Sequence, residues 1–122
     1  MMSAKLLLVD DEPNILLSLD FLMRKNGFQV LLARNGTEAM QLLKEQTPDL
    51  VILDIMMPDV DGYQICQFIK GDEILQSTKV IFLSAKSKES DIAKGLELGA
   101  DAYMTKPFAN KALLEKVKEL IS

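Results

Sequence analysis

Five times in succession, a short apolar run rich in β-favouring residues gives way to a segment whose apolar side chains recur three and four places apart. The runs are Lys5 to Val9, Phe28 to Leu32, Leu50 to Leu53, Val80 to Leu83 and Ala102 to Met104. After them come Ile15, Leu16, Leu19, Leu22 and Met23; then Ala39, Met40, Leu42 and Leu43 up to Pro48; then Ile65, Cys66 and Ile69 beyond Gly62. A fourth segment runs from about Lys88 to Leu98, and a fifth carries Leu113, Leu114, Val117, Leu120 and Ile121. A period near two followed by one near 3.6 reads as strand, then helix. Gly27, Gly62 and Gly99 stand where caps or turns are expected. Repeated strand–helix units specify a parallel sheet with helices on both faces, because parallel neighbours need right-handed crossovers. The 122 residues leave room for one such domain. A chain of that size buries about two-thirds of its unfolded surface and folds without metal or disulfide staples. Cys66 and the methionines after Met2 are read as core, and Met1 and Met2 as frayed.

Open sheets of this kind bind ligands beyond the carboxyl ends of their strands. Those positions are unusually polar here. Strand one runs into Asp10-Asp11-Glu12-Pro13, strand four into Ser84, and strand five into Thr105-Lys106-Pro107-Phe108. Strand three is apolar from Leu50 to Leu53 and then stops on Asp54, too far before the next helix to cap it. If strands one and three are neighbours, Asp10, Asp11 and Asp54 converge. A like-charge pair at 4 Å costs roughly 4 kcal/mol at an effective dielectric of about 20, so the cluster calls for a cation. Oxygen ligands without imidazole or thiolate favour Mg²⁺, and Lys106 adds a second positive charge. Such a site is a receptor for a dianion around one nucleophilic oxygen, that of Asp54, since carboxylates accept phosphoryl groups and the transfer needs mainly positioning and charge neutralisation.

Composition excludes several other chemistries. The chain contains no histidine, which removes the usual metal ligand, general base and any phosphohistidine of its own. A net charge of −4 without a basic run argues against nucleic-acid binding. A single cysteine fits a reducing, cytoplasmic setting, and no apolar run has the length of a membrane span.

Four motifs in order, "LLLVDDEPN", "PDLVILDIMMPDVDG", "VIFLSAKS" and "GADAYMTKPF", span the chain. With them the sequence resembles the receiver domains of bacterial two-component response regulators. The resemblance implies an α/β, doubly wound, flavodoxin-like fold: a five-stranded parallel sheet in the order 2-1-3-4-5. It implies Mg²⁺ held by Asp11, Asp54 and the backbone carbonyl of Met56, with Asp10 acting through water. Asp54 matches the phosphoacceptor, Lys106 the site lysine, Ser84 the hydroxyl switch position and Tyr103 the aromatic one. The Lys106–Pro107 bond is expected to be cis. The donor would be a sensor histidine kinase or a histidine phosphotransfer protein, and the chain would catalyse only its own phosphorylation and dephosphorylation. The sequence stops soon after the last helix, so a receiver without an effector domain is expected. Ala102 and a lysine-rich last helix depart from the dimerising transcription-factor branch, which leaves a monomer or a weak, phosphorylation-dependent dimer.

Taken singly, each of these residues has an ordinary explanation. The acidic run before Pro13 suits a helix start, Lys106 a solvated lysine, and Tyr103 a half-buried aromatic on an edge strand. One phosphoacceptor site explains them together. A haloacid dehalogenase type phosphatase would want an acid two residues after its nucleophile, where Met56 stands, and no G-x-G-x-x-G or G-K-[ST] loop supports a nucleotide-binding domain. A pseudo-receiver that binds partners without phosphate is the remaining alternative. The segment "KESDIAKGLEL", with a broken apolar stripe and Gly95 inside it, reads as a soft helix, so that helix four, strand five and helix five form the expected output face.

Overall fold

The computed structural model describes residues 3–122, so the expectation for Met1 and Met2 lies outside the described residues. Its elements are β1 (Lys5–Val9), α1 (Pro13–Lys25), β2 (Gln29–Ala33), α2 (Gly36–Glu45), β3 (Leu50–Leu53), α3 (Gly62–Gly71), β4 (Lys79–Ser84), α4 (Glu89–Glu97), β5 (Ala102–Thr105) and α5 (Asn110–Ile121). The five strands form one parallel sheet in the order β2-β1-β3-β4-β5. The reversal of order lies between β1 and β3, which places the ends of those two strands side by side: Val9 pairs with Leu53.

Side chains alternate across each strand and so divide the interior in two. Leu7, Val9, Val51, Leu53, Val80 and Phe82 meet Ala39, Leu43, Ile65, Cys66 and Ile69 from α2 and α3. Leu6, Leu8, Leu50, Ile52, Ile81 and Leu83 meet Leu16, Leu19, Met23, Leu113 and Val117 from α1 and α5. With both faces covered, β3 is apolar throughout, and β1 and β4 are apolar from the lysine that opens each of them to the rim. Cys66 is fully buried, unpaired, and pushed up to about 11 by burial.

The structure shifts β2 by one residue from the expected Phe28–Leu32. The Phe28 N–H still bonds back to the Met23 carbonyl in the turn that closes α1, and the strand regains its length at Ala33, which pairs with Val9. Strands four and five also run further than their apolar residues, since Ser84 pairs with Thr105 and their backbones continue the ladder. The third helix starts at Gly62 under a capping box, in which Asp61 accepts from the Gln64 N–H and Gln64 accepts from the Asp61 N–H. Not every methionine is core: Met56 is 61% exposed, because its neighbours Ile55 and Met57 take the two inward directions of the loop.

Gly95 also has a different meaning from the one its helix propensity implied. It is the buried residue of α4, and a Cβ there would stand 2.9 Å from Phe82 Cδ2 and 3.0 Å from Tyr103 Cδ2. The missing side chain lets α4 lie close against β4 and β5. Gly95→Ala should therefore destabilise the domain by about 1 kcal/mol net, since overpacking costs roughly 1–3 kcal/mol and the gain in helix propensity returns about 1. Urea denaturation checks this, and a variant more stable than the parent would refute the close-packing role.

Candidate functional site

The polar residues all gather at one end of the sheet. Asp10 follows β1 and is tied to the sheet by its own N–H on the Ala33 carbonyl at 3.2 Å. Asp54 follows β3, with its N–H on the Val9 carbonyl at 3.0 Å. Lys106 follows β5, with its N–H on the Ser84 carbonyl at 2.8 Å and a cis bond to Pro107. These backbone bonds extend the ladder by one residue beyond each strand, so each functional side chain starts from a rigid element.

Asp10 is 1% exposed and Asp54 5%, which is rare for carboxylates unless they are paired. The Lys106 ammonium supplies the pairing. It lies 2.9 Å from Asp10 Oδ2, 3.2 Å from Glu12 Oε1 and 3.6 Å from Asp54 Oδ2. The Ile55 N–H donates to Asp54 Oδ1 at 2.8 Å and the Glu12 N–H to Asp10 Oδ1 at 2.9 Å. One oxygen of Asp54 is thereby fixed by the backbone and the other turned to the ammonium.

One ammonium does not balance this set of acids. Burial raises Asp54 above its ordinary value, and the charges of Asp10 and Asp11 add to the rise against the pull of Lys106 and the Ile55 N–H. Burial raises Asp10 too, against the hydrogen bond from Lys106. Burial works to lower Lys106, but its bond to Asp10 and the surrounding carboxylates raise it on balance, so it stays charged.

The acidic trio differs from the expected one. Carboxylate oxygens of Asp10, Glu12 and Asp54 lie within 4.8 Å of one another, while Asp11 points outward and is exposed. Backbone geometry accounts for this: Glu12 is extended, so alternate residues of the run share a side, and Asp10 and Glu12 face the site together. The strand-like period of two in "DDE" carried that signal. The donors are all hard oxygens without sulfur or imidazole, a set that fits Mg²⁺.

Ser84 is fully buried at the end of β4, and its Oγ accepts from the Lys86 N–H at 3.2 Å. The carbonyl of the same Lys86 accepts from the Tyr103 hydroxyl at 2.7 Å. One peptide segment thus joins the two expected switch residues, a link the sequence did not reveal. Tyr103 is half-buried against Phe82, which meets Tyr63 edge to face, and burial pushes the Tyr103 hydroxyl up to about 12.

Sequence and fold both have close parallels among known proteins. The response regulator receiver domain matches residues 6–118. The chain belongs to that family. It is 38% identical over 120 residues to the alkaline phosphatase synthesis transcriptional regulatory protein PhoP of Bacillus subtilis (strain 168), a match that takes in 98% of this chain and 49% of that protein. The receiver therefore spans about half the length of this relative. In three dimensions it resembles the signal receiver domain of a signal transduction histidine kinase from Syntrophus aciditrophicus, at a TM-score of 0.90 and 37% identity over 98% of this chain and 90% of that one. A CheY-like receiver domain protein from Methanospirillum hungatei JF-1 superposes at a TM-score of 0.92 with 28% identity, covering 98% and 94% of the two chains. Among the described residues of the receiver, no helix is long and apolar enough to cross a membrane.

The excess of buried negative charge has a measurable consequence. The folded carboxyls of Asp10 and Asp54 hold their protons at higher pH than in the unfolded chain, so their burial weakens the fold at neutral pH. That penalty fades as pH falls through the raised folded values toward the ordinary 3.8. Asp54→Asn, which keeps an acceptor for the Ile55 N–H and leaves Lys106 paired with Asp10, should stabilise the metal-free domain at pH 7 by about 1 kcal/mol, or a few degrees in Tm. The advantage should shrink on acidification. An equal or lower Tm at pH 7 would show that Lys106 already balances the site.

Proposed function

We propose that this receiver is a phosphorylation-operated switch in which Asp54 accepts a phosphoryl group from the phosphohistidine of a sensor kinase or phosphotransfer protein. The supporting observation is the setting of Asp54: a buried carboxylate just past the end of an apolar strand, with one oxygen held by the Ile55 N–H and the other 3.6 Å from the Lys106 ammonium. The oxygen turned toward Lys106 attacks phosphorus, the bond from phosphorus to the donor imidazole breaks, and the leaving nitrogen takes up a proton. The phosphoryl group carries about 1.5–2 negative charges at neutral pH, and Lys106 lies where it offsets them.

The donor set fits Mg²⁺. The residues that would hold it are Asp11, Asp54 and the backbone carbonyl of Met56, with Asp10 through water; Asp11 would turn inward to do so, with Glu12 nearby. When bound, the ion supplies the positive charge that the acidic set lacks. In this reading the domain catalyses nothing beyond its own phosphorylation and dephosphorylation. It works in the cytoplasm, in keeping with one buried, unpaired cysteine, as a monomer or a weak phosphorylation-dependent dimer.

The switch runs through Lys86. If the Ser84 hydroxyl turns to donate to a phosphoryl oxygen, its bond to the Lys86 N–H is disturbed, and with it the carbonyl that holds Tyr103. Hydrogen bonds to charged groups contribute roughly 1.5–3 kcal/mol each. Two that form only in the active state approach the ~5.5 kcal/mol that inverts a 1:99 equilibrium. The responding surface is α4, β5 and α5, with α4 seated directly on Tyr103 through Gly95.

Incubation with acetyl phosphate at saturating Mg²⁺, read by intact mass, tests this. The expected result is a Mg²⁺-dependent gain of one phosphoryl group, abolished by Asp54→Asn and retained by Asp59→Asn. Absence of the adduct in the parent chain would favour the pseudo-receiver. Amide exchange in α4, β5 and α5 that ignores a phosphoryl mimic at Asp54 would refute the output face.

A further inference from the structure

We propose that Asp59 is a positioning residue: it latches the loop between β3 and α3 onto the first turn of α2, and so sets where Met56 stands beside Asp54. The inference rests on the phosphoacceptor reading above and adds to it a group outside the reacting cluster.

Asp59 lies on the exposed side of the loop, where a carboxylate is ordinarily free in solvent. This one is saturated with donors. The Gly36 N–H donates to Oδ1 at 3.1 Å, the Thr37 N–H to Oδ2 at 2.8 Å, and the Thr37 hydroxyl to Oδ2 at 2.5 Å. The Thr37 hydroxyl and amide hold the Asp59 carboxyl well below the usual carboxylate range, so it is charged at any physiological pH. A negative group is favoured at a helix N-terminus.

Capping α2 does not explain the arrangement. That helix has its own cap, since Asn35 Oδ1 accepts from the Glu38 N–H at 2.8 Å. Asp59 takes two other N–H groups of the same turn, from a loop more than twenty residues further along the chain. The next residue reinforces the junction. A Cβ at Gly36 would run into the Val60 carbonyl and lie 2.6 Å from Val60 Cβ, so loop and helix meet without a side chain between them.

The position of this junction gives it consequences for the site. The loop leaves the sheet at Asp54 and enters α3 at the capped Asp61. Near its ends it is held by the Gly62 N–H on the Ile55 carbonyl at 2.9 Å and by the buried side chains of Ile55 and Met57. Met56, whose carbonyl the proposed function assigns to the cation, points outward between those anchors. The bonds of Asp59 fix the middle of the loop, three residues beyond Met56. A group that acts on a ligand from behind typically alters metal affinity ten- to a hundredfold when removed.

The test compares the full chain with Asp59→Ala and with Asn35→Ala, which removes a cap from the same helix without touching the loop. Mg²⁺ binding is titrated by calorimetry, and amide exchange over residues 55–60 is measured without the ion. Asp59→Ala should weaken Mg²⁺ binding about tenfold, at the lower end of that range, and speed exchange across the loop. It should still take up a phosphoryl group at saturating Mg²⁺. Asn35→Ala should lower Tm and leave Mg²⁺ affinity as in the parent. Parental affinity and exchange in Asp59→Ala would overturn the latch alone, as would the same loss of affinity in Asn35→Ala. A parent chain that binds no Mg²⁺ would overturn the latch together with the phosphoacceptor reading.

Discussion

Everything distinctive about this domain follows from two acids, Asp10 and Asp54, held almost out of water beside a single ammonium. The pairing follows from the fold: the strand order sets β1 beside β3, and an aspartate follows each of the two strands. Lys106 arrives from β5, two strands away from β3, and reaches both acids. Charges placed this way raise one another's proton affinity and wait for a further positive group. A carboxylate in solvent would have no such demand, and a carboxylate with two cations would have satisfied it. The intermediate case leaves a rim with more buried negative charge than its one ammonium balances.

The same rim is mechanically connected to the outer surface. Ser84 and Tyr103 meet on the two sides of the Lys86 peptide, and Tyr103 underlies α4 where Gly95 removes any cushion between helix and ring. Tyr63, at the start of α3, donates to the Asp91 carbonyl at 3.1 Å and carries the Lys94 ammonium 4.4 Å above its ring. Helix α4 therefore rests on three aromatic rings, Tyr63 beside the loop that follows Asp54, Phe82 on β4 and Tyr103 on β5.

Most of the fold was legible in the residues because each element obeys one period and one set of end signals. The places where reading failed are those where a third dimension decides. Phe28 has every strand-like property, yet its N–H belongs to the turn that ends α1. Gly95 looks like a weak point in a helix until Phe82 and Tyr103 are set beneath it. Asp10, Asp54, Ser84 and Lys106 are brought to one rim by strand order, while Asp11 is displaced outward by the alternation that turns Glu12 toward Lys106. Asp59 carried no sequence signal, since its partners Gly36 and Thr37 come from a different helix.

Cys66 shows what the fold keeps separate. Enclosed between α3 and the sheet, with its sulfur directed to the Leu98 carbonyl at 3.8 Å, it stays a neutral thiol and is shielded from oxidants and disulfide exchange. The chain's one thiol is thereby kept out of solvent, so thiol–disulfide chemistry finds no foothold on this domain.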